Sequence, residues 1–417
     1  MTYKYFDSQL LKEIAAAIGT PTYVYAERGI RQQIAQIRKV LGGFNAQLLY
    51  AMKANSHPRL LEIIRSEGVG IDAVSPVELK LALACGFDPG QILYSANNMT
   101  DDEMNLARTS GAVINFGDLE RFRIFSTANP GSSVCIRVNP DRGAGHHAYV
   151  VTAGKASKFG IGLDKIDEIK EISDRYQITI NGLHQHIGSG NTDVDLIADS
   201  MLSLLDIAAH FEDLEFVNFG GGFGIPYVTG HDPIDVDQLG KKVEPHLSKF
   251  ASQRTGKFRF LIEPGRYIVA EAGALLIEVT NVKQVEDNVF VGTNSGMNHL
   301  IRPAMYGAHH EILNISNLDG MVSDYSVVGN ICESSDFFAH DRDIPEVRIG
   351  DTLAIMDVGA YGVSMASHYN LRQLPAEVLV KDDGSVSVIS ARVDTDTAVE
   401  TILGNATATR LDLDLRL

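Results

Sequence analysis

The run Leu48-Leu49-Tyr50-Ala51-Met52-Lys53-Ala54-Asn55 decides how this chain is interpreted, because an apolar segment ends there in one lysine followed by a polar turn. A lysine at the carboxyl end of the first buried strand of an α/β chain needs a reason, since burying an ammonium group is unfavourable unless it is paired or used. Its useful form is a neutral amine with a depressed pKa, ready to form a Schiff base with an aldehyde cofactor. The simpler interpretation is a lysine that reaches the surface where its strand ends, and the run alone favours it. The rest of the sequence reverses that preference.

Eight short apolar runs alternate with amphipathic stretches over the first two thirds of the chain. They are residues 48–53, 70–75, 92–96, 112–116, 133–138, 182–187, 215–219 and 259–263. Their hydrophobicity is continuous rather than alternating, which indicates parallel strands covered on both faces. Eight strand–helix units over about 240 residues predict a (β/α)8 TIM-type barrel. A doubly wound sheet is the alternative, but it usually has fewer strands and lacks this regular count.

After about residue 270 the pattern changes to valine-rich runs joined by short turns. Runs 275–284 and 287–292 meet near Glu286-Asp287, and runs 376–380 and 385–390 flank Lys381-Asp382-Asp383-Gly384-Ser385, a strong hairpin signal. We therefore predict a mostly antiparallel β domain at 271–417 after a cofactor-binding barrel at 28–270. The N-terminal segment 1–27, which contains Thr20-Pro21-Thr22-Tyr23-Val24-Tyr25, is expected to pair with the β domain.

Composition narrows the class of protein. A chain of 417 residues with 45% hydrophobic and 21% charged residues is ordinary for a soluble globular protein of about two domains. The formal charge of −17 argues against nucleic acid or an anionic membrane as a partner. The N-terminus shows no signal pattern, and no uncharged apolar run reaches the length of a membrane span. Three cysteines without metal-like spacing favour the reducing cytoplasm.

The candidate site lies at the carboxyl ends of the predicted strands, because barrels of this kind build their active sites there. Those ends carry Lys53, Asp72, Ser75, Asn97, Asn115, Arg137, Asn139, His186, Ser189, Gly220, Gly221, Gly222, Glu263 and Arg266. As a set they are far more specific than any single member.

Phosphate binding is indicated by two loops. Gly220-Gly221-Gly222-Phe223-Gly224 follows strand seven and Glu263-Pro264-Gly265-Arg266 follows strand eight, the loops with which barrels bind phosphate. A lysine that forms an imine and a phosphate cradle at the same mouth together suggest pyridoxal phosphate. That cofactor works best as an electron sink when a carboxylate holds its pyridine nitrogen protonated, and Glu263 can supply it. His186 can lie flat on the ring, although an isolated histidine is more often a satisfied core residue.

At this point the chain resembles the alanine-racemase-fold decarboxylases that use pyridoxal phosphate, and among them the diaminopimelate decarboxylases. The resemblance covers nearly the whole chain. In the barrel it rests on Tyr50-Ala51-Met52-Lys53-Ala54-Asn55, His186-Ile187-Gly188-Ser189 and the two loops just described. In the second domain it rests on Arg302-Pro303-Ala304-Met305-Tyr306-Gly307, Cys332-Glu333-Ser334-Ser335-Asp336 and Gly359-Ala360-Tyr361-Gly362. Departures from the usual pattern at Gly190, Asn191, Asn294, Ser335 and Gln373 lie outside the cofactor set.

The resemblance implies decarboxylation of meso-2,6-diaminopimelate to L-lysine and carbon dioxide. By it, Lys53 carries the imine to pyridoxal 5′-phosphate. Cys332 looks like the proton donor to the α-carbon and comes from the partner subunit of a head-to-tail homodimer. The implied cofactor set is Lys53, Asp72, His186, Ser189, Gly221, Gly222, Glu263, Gly265, Arg266 and Tyr361. The implied substrate set is Arg266, Arg302, Tyr306, Glu333 and Tyr361.

The charges of Arg302 and Glu333 favour a substrate with a carboxylate and an amine at its far end. An arginine can fork onto that carboxylate while Glu333 binds the neighbouring ammonium group. A decarboxylase for ornithine or lysine needs only an acid at that position, and an arginine would repel its substrate. Arg302 therefore favours diaminopimelate, with another amino acid that has a polar distal group as the alternative.

Two other classes stay open. His184 and His186 share a face of their strand, and His146-His147 and His309-His310 add nitrogen ligands, as in a metal-dependent hydrolase barrel. The second is a catalytically silent homologue that binds or regulates, although both Lys53 and Cys332 are present.

Overall fold

The computed structural model describes residues 2–140, 157–254 and 258–392. His146, His147 and residues 393–417 of the predicted β domain lie outside the described residues. The chain begins with a short antiparallel pair, β1 (Thr2–Tyr3) and β2 (Phe6–Asp7), followed by helix α1 (Ser8–Ile18) and strand β3 (Thr22–Ala26). Asp7 caps α1 by accepting hydrogen bonds from the backbone N–H groups of Gln9 and Leu10.

The predicted barrel is confirmed. Its strands are β4 (Ala46–Ala51), β5 (Gly70–Ala73), β6 (Ile92–Tyr94), β7 (Val113–Phe116), β8 (Ser133–Asn139), β10 (Thr179–His184), β11 (Phe216–Asn218) and β12 (Arg259–Ile262), with β9 (Ile161–Gly162) added beside β8. All pairs are parallel, and the ring closes through β8 with β10 and through β12 with β4. A closed ring leaves no exposed strand edge.

Helices alternate with these strands along the chain. They are α2 (Glu27–Ile37), α3 (Pro58–Ser66), α4 (Pro76–Ala84), α5 (Asp101–Ser110), α6 (Leu119–Ala128), α7 (Ile166–Tyr176), α8 (Val194–Ala208), α9 (Val236–Ser252) and the short α10 (Arg266–Val269). Local sequence sets their starts. A proline opens α3 and α4, and Thr100 with Glu103 forms a capping box before α5.

The lumen below the strand ends is filled by a small apolar cluster. Leu49, Leu93, Cys135, Phe216 and Leu261 come from five different strands and pack together, which is possible only inside the ring. A side chain at position 182 would meet the Phe216 ring at 2.1 Å, so glycine is required there. This packed floor leaves the polar strand-end residues at one mouth of the barrel.

The second sheet is mixed rather than purely antiparallel. It comprises β13 (Gly273–Val285), β14 (Asn288–Thr293), β15 (Ile312–Asn314), β16 (Val322–Val328), β17 (Phe337–Pro345), β18 (Thr352–Met356), β19 (Ala376–Val380) and β20 (Val386–Ser390), with helix α11 (Arg302–Tyr306) between β14 and β15. Within this sheet, which also contains β3, only the β14–β16 and β3–β19 pairs are parallel among the described strands. Both predicted hairpins form, with Glu286 and Gly384 at positive φ in their turns.

Strand β3 ties the N-terminus to this sheet. It lies between β13 and β19, hydrogen-bonded to both. The domain limits near residues 27 and 270 stay a prediction, and the pairing of β3 agrees with the first of them. No helix among the described residues is long and apolar enough to cross a bilayer.

A loop of the second sheet reaches over the barrel mouth. The Tyr361 N–H and the Ser364 hydroxyl both donate to the carbonyl oxygen of Ala54, at 2.8 and 3.0 Å. The Asn55 side chain donates to the carbonyl oxygen of Gly359 at 3.2 Å. The second sheet therefore holds the turn that carries Lys53.

Candidate active site

Lys53 lies just beyond its strand, in the turn Met52–Ala54, rather than at the strand's last residue as predicted. Its Nζ is 3.6 Å from Oδ2 of the buried Asp72, while its own side chain is 40% exposed toward a cavity. Burial alone would lower the pKa of Lys53, but the neighbouring carboxylate of Asp72 raises it above its ordinary value. The expectation that Lys53 has a depressed pKa is therefore wrong for the protein without a ligand, because Asp72 stabilises the ammonium form.

Asp72 responds to the same surroundings. Burial and the nearby Glu263 raise its pKa to about 7, against the opposing effect of Lys53. Its Oδ1 has no hydrogen-bond partner in the described part of the chain. Burial thus favours the protonated form of Asp72 more than water does, and its Oδ1 can accept a hydrogen bond from a ligand.

Glu263 is held as a carboxylate by two donors. Asn218 Nδ2 donates to Oε1 at 2.7 Å, and His184 Nε2 lies 3.1 Å from Oε2. Asn115 Nδ2 lies 2.8 Å from His184 Nδ1, so Nδ1 accepts and Nε2 carries the hydrogen that points to Glu263. Burial would raise the pKa of Glu263, yet His184 and its other neighbours hold it at about 2.

His186 presents a neutral imidazole to the same cavity. The Gly221 N–H donates to its Nδ1 at 3.1 Å, which leaves the hydrogen on Nε2. Burial, with the charges of Lys53 and Arg137, lowers the pKa of His186 well below its usual value. A neutral ring fixed at one nitrogen suits stacking against a flat ligand.

The triglycine turn is packed so tightly that only glycine fits. A Cβ would lie 2.1 Å from the Gln185 carbonyl oxygen at Gly220, 2.3 Å from that of Glu263 at Gly221 and 2.4 Å from that of Gly188 at Gly222. Gly220 and Gly222 also have positive φ. The bare backbone of this turn can therefore approach a ligand closely.

Three buried arginines, Arg137, Arg266 and Arg302, face the site. Arg266 donates to the Ser189 and Tyr227 hydroxyls at 3.0 and 2.6 Å, and its guanidinium lies 4.9 Å from the Tyr361 ring centroid. Arg302 donates from Nε to His310, and Arg137 lies over the Phe159 ring. In the described part of the chain, none of the three is ion-paired to a carboxylate. Such desolvated cations call for an anionic ligand.

These groups converge on one cavity of about 320 Å³. Of the predicted site residues it is lined by Lys53, Asp72, Asn97, Arg137, His186, Ser189, Gly222, Glu263, Gly265, Arg266, Arg302, Tyr306 and Tyr361. Gly221 does not line the cavity itself but donates a hydrogen bond to His186, which does. The cavity combines four cationic side chains with two carboxylates, one of which has its pKa near 7. The cation excess, the glycine cradle and the free acceptor on Asp72 fit pyridoxal phosphate.

Cys332 and Glu333 are not brought to this cavity within one chain. They lie on an exposed loop between β16 and β17, where the Cys332 N–H donates to Asn370 at 2.9 Å and Glu333 accepts from the Tyr369 hydroxyl. Neither residue lines the cavity of its own chain.

Some site residues were missed or given no role. Asn218 ends β11, so the strand-end rule could have found it, while Arg137 and Asn115 were found there without an assigned contact. His184 was considered only as a metal ligand, yet it bonds Glu263 and Asn115. Tyr227 and His310 contact the cavity arginines Arg266 and Arg302. Both lie in loops, where no sequence period marks the direction of a side chain, and His310 was considered only as a metal ligand.

The described residues give little support to the hypothesis of a metal-dependent hydrolase. The described residues contain no group of three or more histidine, cysteine or acidic side chains placed to hold an ion. His309 contacts Arg342 and Glu311, away from the His184–Glu263 pair.

Most of the departures from the family pattern have identified contacts. Asn294 donates to Thr20, the Ser335 hydroxyl contacts the Met297 sulfur, and the Gln373 carbonyl bonds His299. The Asn191 backbone pairs with Gly222 and Gly224, which braces the triglycine turn.

Comparison with known proteins agrees with this site. Residues 27–270 match the family model described as pyridoxal-dependent decarboxylase, pyridoxal binding domain. The chain is 41% identical over 390 residues to a diaminopimelate decarboxylase of Methanothermobacter thermautotrophicus, covering 91% of each chain. A crystal structure of diaminopimelate decarboxylase superposes with a TM-score of 0.87 at 31% identity, covering 95% of this chain and 96% of that one. The Helicobacter pylori diaminopimelate decarboxylase complexed with L-lysine superposes with a TM-score of 0.86 at 30% identity, covering 95% and 100%.

Proposed function

Because the chain belongs to the pyridoxal-dependent decarboxylases, and within them to the diaminopimelate decarboxylase family, we propose that it converts meso-2,6-diaminopimelate to L-lysine and carbon dioxide. It is then a carbon–carbon lyase that uses pyridoxal 5′-phosphate in the last step of lysine biosynthesis. One observation carries the proposal: a lysine beside a buried carboxylate faces the same cavity as three arginines that are not ion-paired to any carboxylate of the described residues.

The cofactor is assigned to residues whose side chains or backbone match the chemistry of its parts. These are Lys53, Asp72, His186, Ser189, Gly221, Gly222, Glu263, Gly265, Arg266 and Tyr361. When bound, pyridoxal phosphate supplies an electron sink for the pair left behind when carbon dioxide departs. Glu263, ionised through Asn218 and His184, is suited to hold a proton at the pyridine nitrogen. Lys53 supplies the anchoring amine, and Asp72 lies 3.6 Å from that amine, where it can hold a proton beside it because burial raises its pKa.

The substrate is assigned to Arg266, Arg302, Tyr306, Tyr361 and the partner's Glu333 position. Arg302 binds the carboxylate remote from the reacting carbon, because a buried guanidinium that is not ion-paired to a carboxylate of the described residues gains most from a ligand carboxylate. Cys332 is assigned as the group that returns a proton to the α-carbon. Both Cys332 and Glu333 then come from a second subunit.

The surface around Cys332 supports a homodimer. Leu371 is 79% exposed, and Tyr369, two residues before it, is also an exposed large apolar side chain. Tyr369 and Asn370 hydrogen-bond Glu333 and Cys332, so this apolar surface is continuous with the two assigned residues. Apolar side chains gathered beside polar functional groups are typical of protein interfaces.

Mixing inactive Lys53→Ala chains with inactive Cys332→Ala chains should restore activity if the site is composite. A hybrid dimer has one cavity with an intact Lys53 and the intact Cys332 of its partner. Random exchange therefore predicts about a quarter of the wild-type activity, since half of the dimers are hybrid and carry one working site. The measurement is carbon dioxide release before and after subunit exchange, with Lys53→Ala alone as the control. No recovery after verified exchange would show that each site is built within one chain.

The triglycine turn gives a second test. Gly222→Ala should weaken binding of pyridoxal phosphate about tenfold or more, because the new Cβ meets the Gly188 carbonyl oxygen at 2.4 Å and forces the turn to shift. Gly230→Ala is the matched control, since Gly230 also has positive φ but nothing lies within 4 Å of its added Cβ. Fluorescence titration with the cofactor measures both. Equal affinities in the two variants would remove the turn from the cofactor site.

The reaction itself is tested with purified protein and added pyridoxal phosphate. Meso-diaminopimelate should disappear with equimolar formation of L-lysine and carbon dioxide, followed by chromatography and gas release. Zinc retained by the protein with no lysine formed would favour a metal-dependent hydrolase, and ligand binding without turnover would favour a silent homologue.

None of the three cysteines forms a disulfide, which supports the cytoplasm as the proposed location.

A further inference from the structure

The surroundings of Arg302 contain an arrangement that the proposed reaction does not use. Arg302 is only 2% exposed, and its Nε donates to His310 Nε2 at 3.3 Å. His310 is fully buried, and its Nδ1 lies 2.9 Å from the carbonyl oxygen of Met356. A fixed backbone atom of β18 is thus linked through one imidazole to the cavity arginine.

The hydrogen-bond partners fix the tautomer of His310. A carbonyl oxygen can only accept, so Nδ1 carries the hydrogen, and Nε2 has the lone pair that accepts from Arg302. This requires a neutral ring. Burial, together with the positive charge of Arg302, lowers the pKa of His310 well below its ordinary value. The acceptor is therefore maintained at neutral pH.

The ring of His310 is also fixed in place by Tyr227. The two rings meet edge to face, with centroids 5.1 Å apart, and the Arg302 guanidinium lies 5.2 Å from the Tyr227 ring centroid. The Tyr227 hydroxyl accepts from Arg266 Nη1 at 2.6 Å. Tyr227 therefore gives each arginine a separate contact, which keeps the two guanidinium groups in distinct places.

Holding Arg302 by Nε decides which donors stay available. A guanidinium has five N–H groups, and those on Nη1 and Nη2 form the end that pairs with a carboxylate through two parallel hydrogen bonds. With Nε–H bound to His310, this end is left for a ligand. Within the described residues, no carboxylate is ion-paired to Arg302.

We propose that His310 is a positioning residue that sets ligand specificity, by holding Arg302 so that its two terminal nitrogens receive the carboxylate remote from the reacting carbon. The inference rests on the proposed function, because it takes Arg302 as the group that binds this carboxylate. It predicts that His310 matters for ligands that carry the carboxylate and not for ligands that lack it.

L-lysine and 1,5-diaminopentane separate these two cases. L-lysine keeps the remote carboxylate and its amine, whereas 1,5-diaminopentane has the amines alone. His310→Leu, tested as the holoenzyme, should bind L-lysine about tenfold more weakly as an inhibitor, while inhibition by 1,5-diaminopentane stays within about twofold. The KM for meso-diaminopimelate should rise about tenfold with kcat within about threefold, and the bound-cofactor absorbance should not change.

Two further variants control for loss of structure. His310→Gln offers both an acceptor for Arg302 and a donor for Met356, so it should restore L-lysine binding to within about threefold of wild type. His309→Leu changes the adjacent residue, which contacts Arg342 instead, and should behave as wild type. If His310→Leu does not fold, His310→Asn takes its place, since its shorter side chain cannot reach both partners.

Equal loss of both inhibitors, or no loss of either, overturns the role of His310. Failure of the proposed function looks different, because wild-type protein would then not decarboxylate meso-diaminopimelate and would not prefer L-lysine over the diamine.

Discussion

Replacing Lys53 with alanine should abolish covalent attachment of pyridoxal phosphate and lower turnover by three or more orders of magnitude, or at least about 4 kcal/mol of transition-state stabilisation. Lys53 is the only lysine among the described residues that line the cavity. The reaction needs an amine at this place, and alanine cannot supply one. The bound-cofactor absorbance, and the lysine labelled after borohydride reduction, measure the effect directly.

The control for this prediction is Lys80→Ala, because Lys80 is an exposed lysine on helix α4. It should keep both the absorbance and the activity. A Lys53→Ala protein that still yields a borohydride-trapped cofactor would show that another lysine carries it, and the assignment of the cavity would be wrong.

Arg302→Ala should lower kcat/KM for meso-diaminopimelate by one to three decades or more. The remote carboxylate of the substrate would be desolvated without its partner, which costs roughly 2–5 kcal/mol, and each 1.4 kcal/mol is about a factor of ten. Cofactor absorbance should persist, because Arg302 is not assigned to the cofactor. Steady-state kinetics on the holoenzyme check both statements.

Two other substitutions sharpen the test of Arg302. Glu333→Gln should weaken the ammonium contact to a similar degree and should relax discrimination against substrates with a neutral far end. Arg348→Ala removes an exposed arginine paired with Glu346 and should have no effect. A change of less than about threefold for Arg302→Ala, under 1 kcal/mol, would exclude the remote-carboxylate assignment.

The fold could be predicted because the signals were local and continuous. Buried parallel strands require unbroken apolar runs, and each of the eight predicted runs overlaps a barrel strand. The strand ends were less certain, since Lys53 continues an apolar run but lies in a turn whose hydrogen bonds come from residues 361 and 364. No pattern within residues 48–55 encodes those distant contacts.

The site could be predicted only where the barrel rule places residues. Asp72, His186 and Glu263 follow from strand ends, and the structure places them around Lys53. The roles of Tyr227 and His310 could not be predicted, because loop conformation brings them to Arg266 and Arg302. The protonation state of Lys53 also could not be predicted from the sequence, since it depends on Asp72, whose Oδ2 lies 3.6 Å from the Lys53 Nζ.

The central claim is that the cavity selects an amino acid with a second, remote carboxylate. The most direct measurement is carbon dioxide release by the holoenzyme from meso-diaminopimelate, L-lysine, L-ornithine and L-arginine, compared as kcat/KM. Our account predicts that meso-diaminopimelate is preferred by at least about two decades, because only it pairs the buried Arg302 during reaction. Preferential turnover of lysine, ornithine or arginine would contradict it.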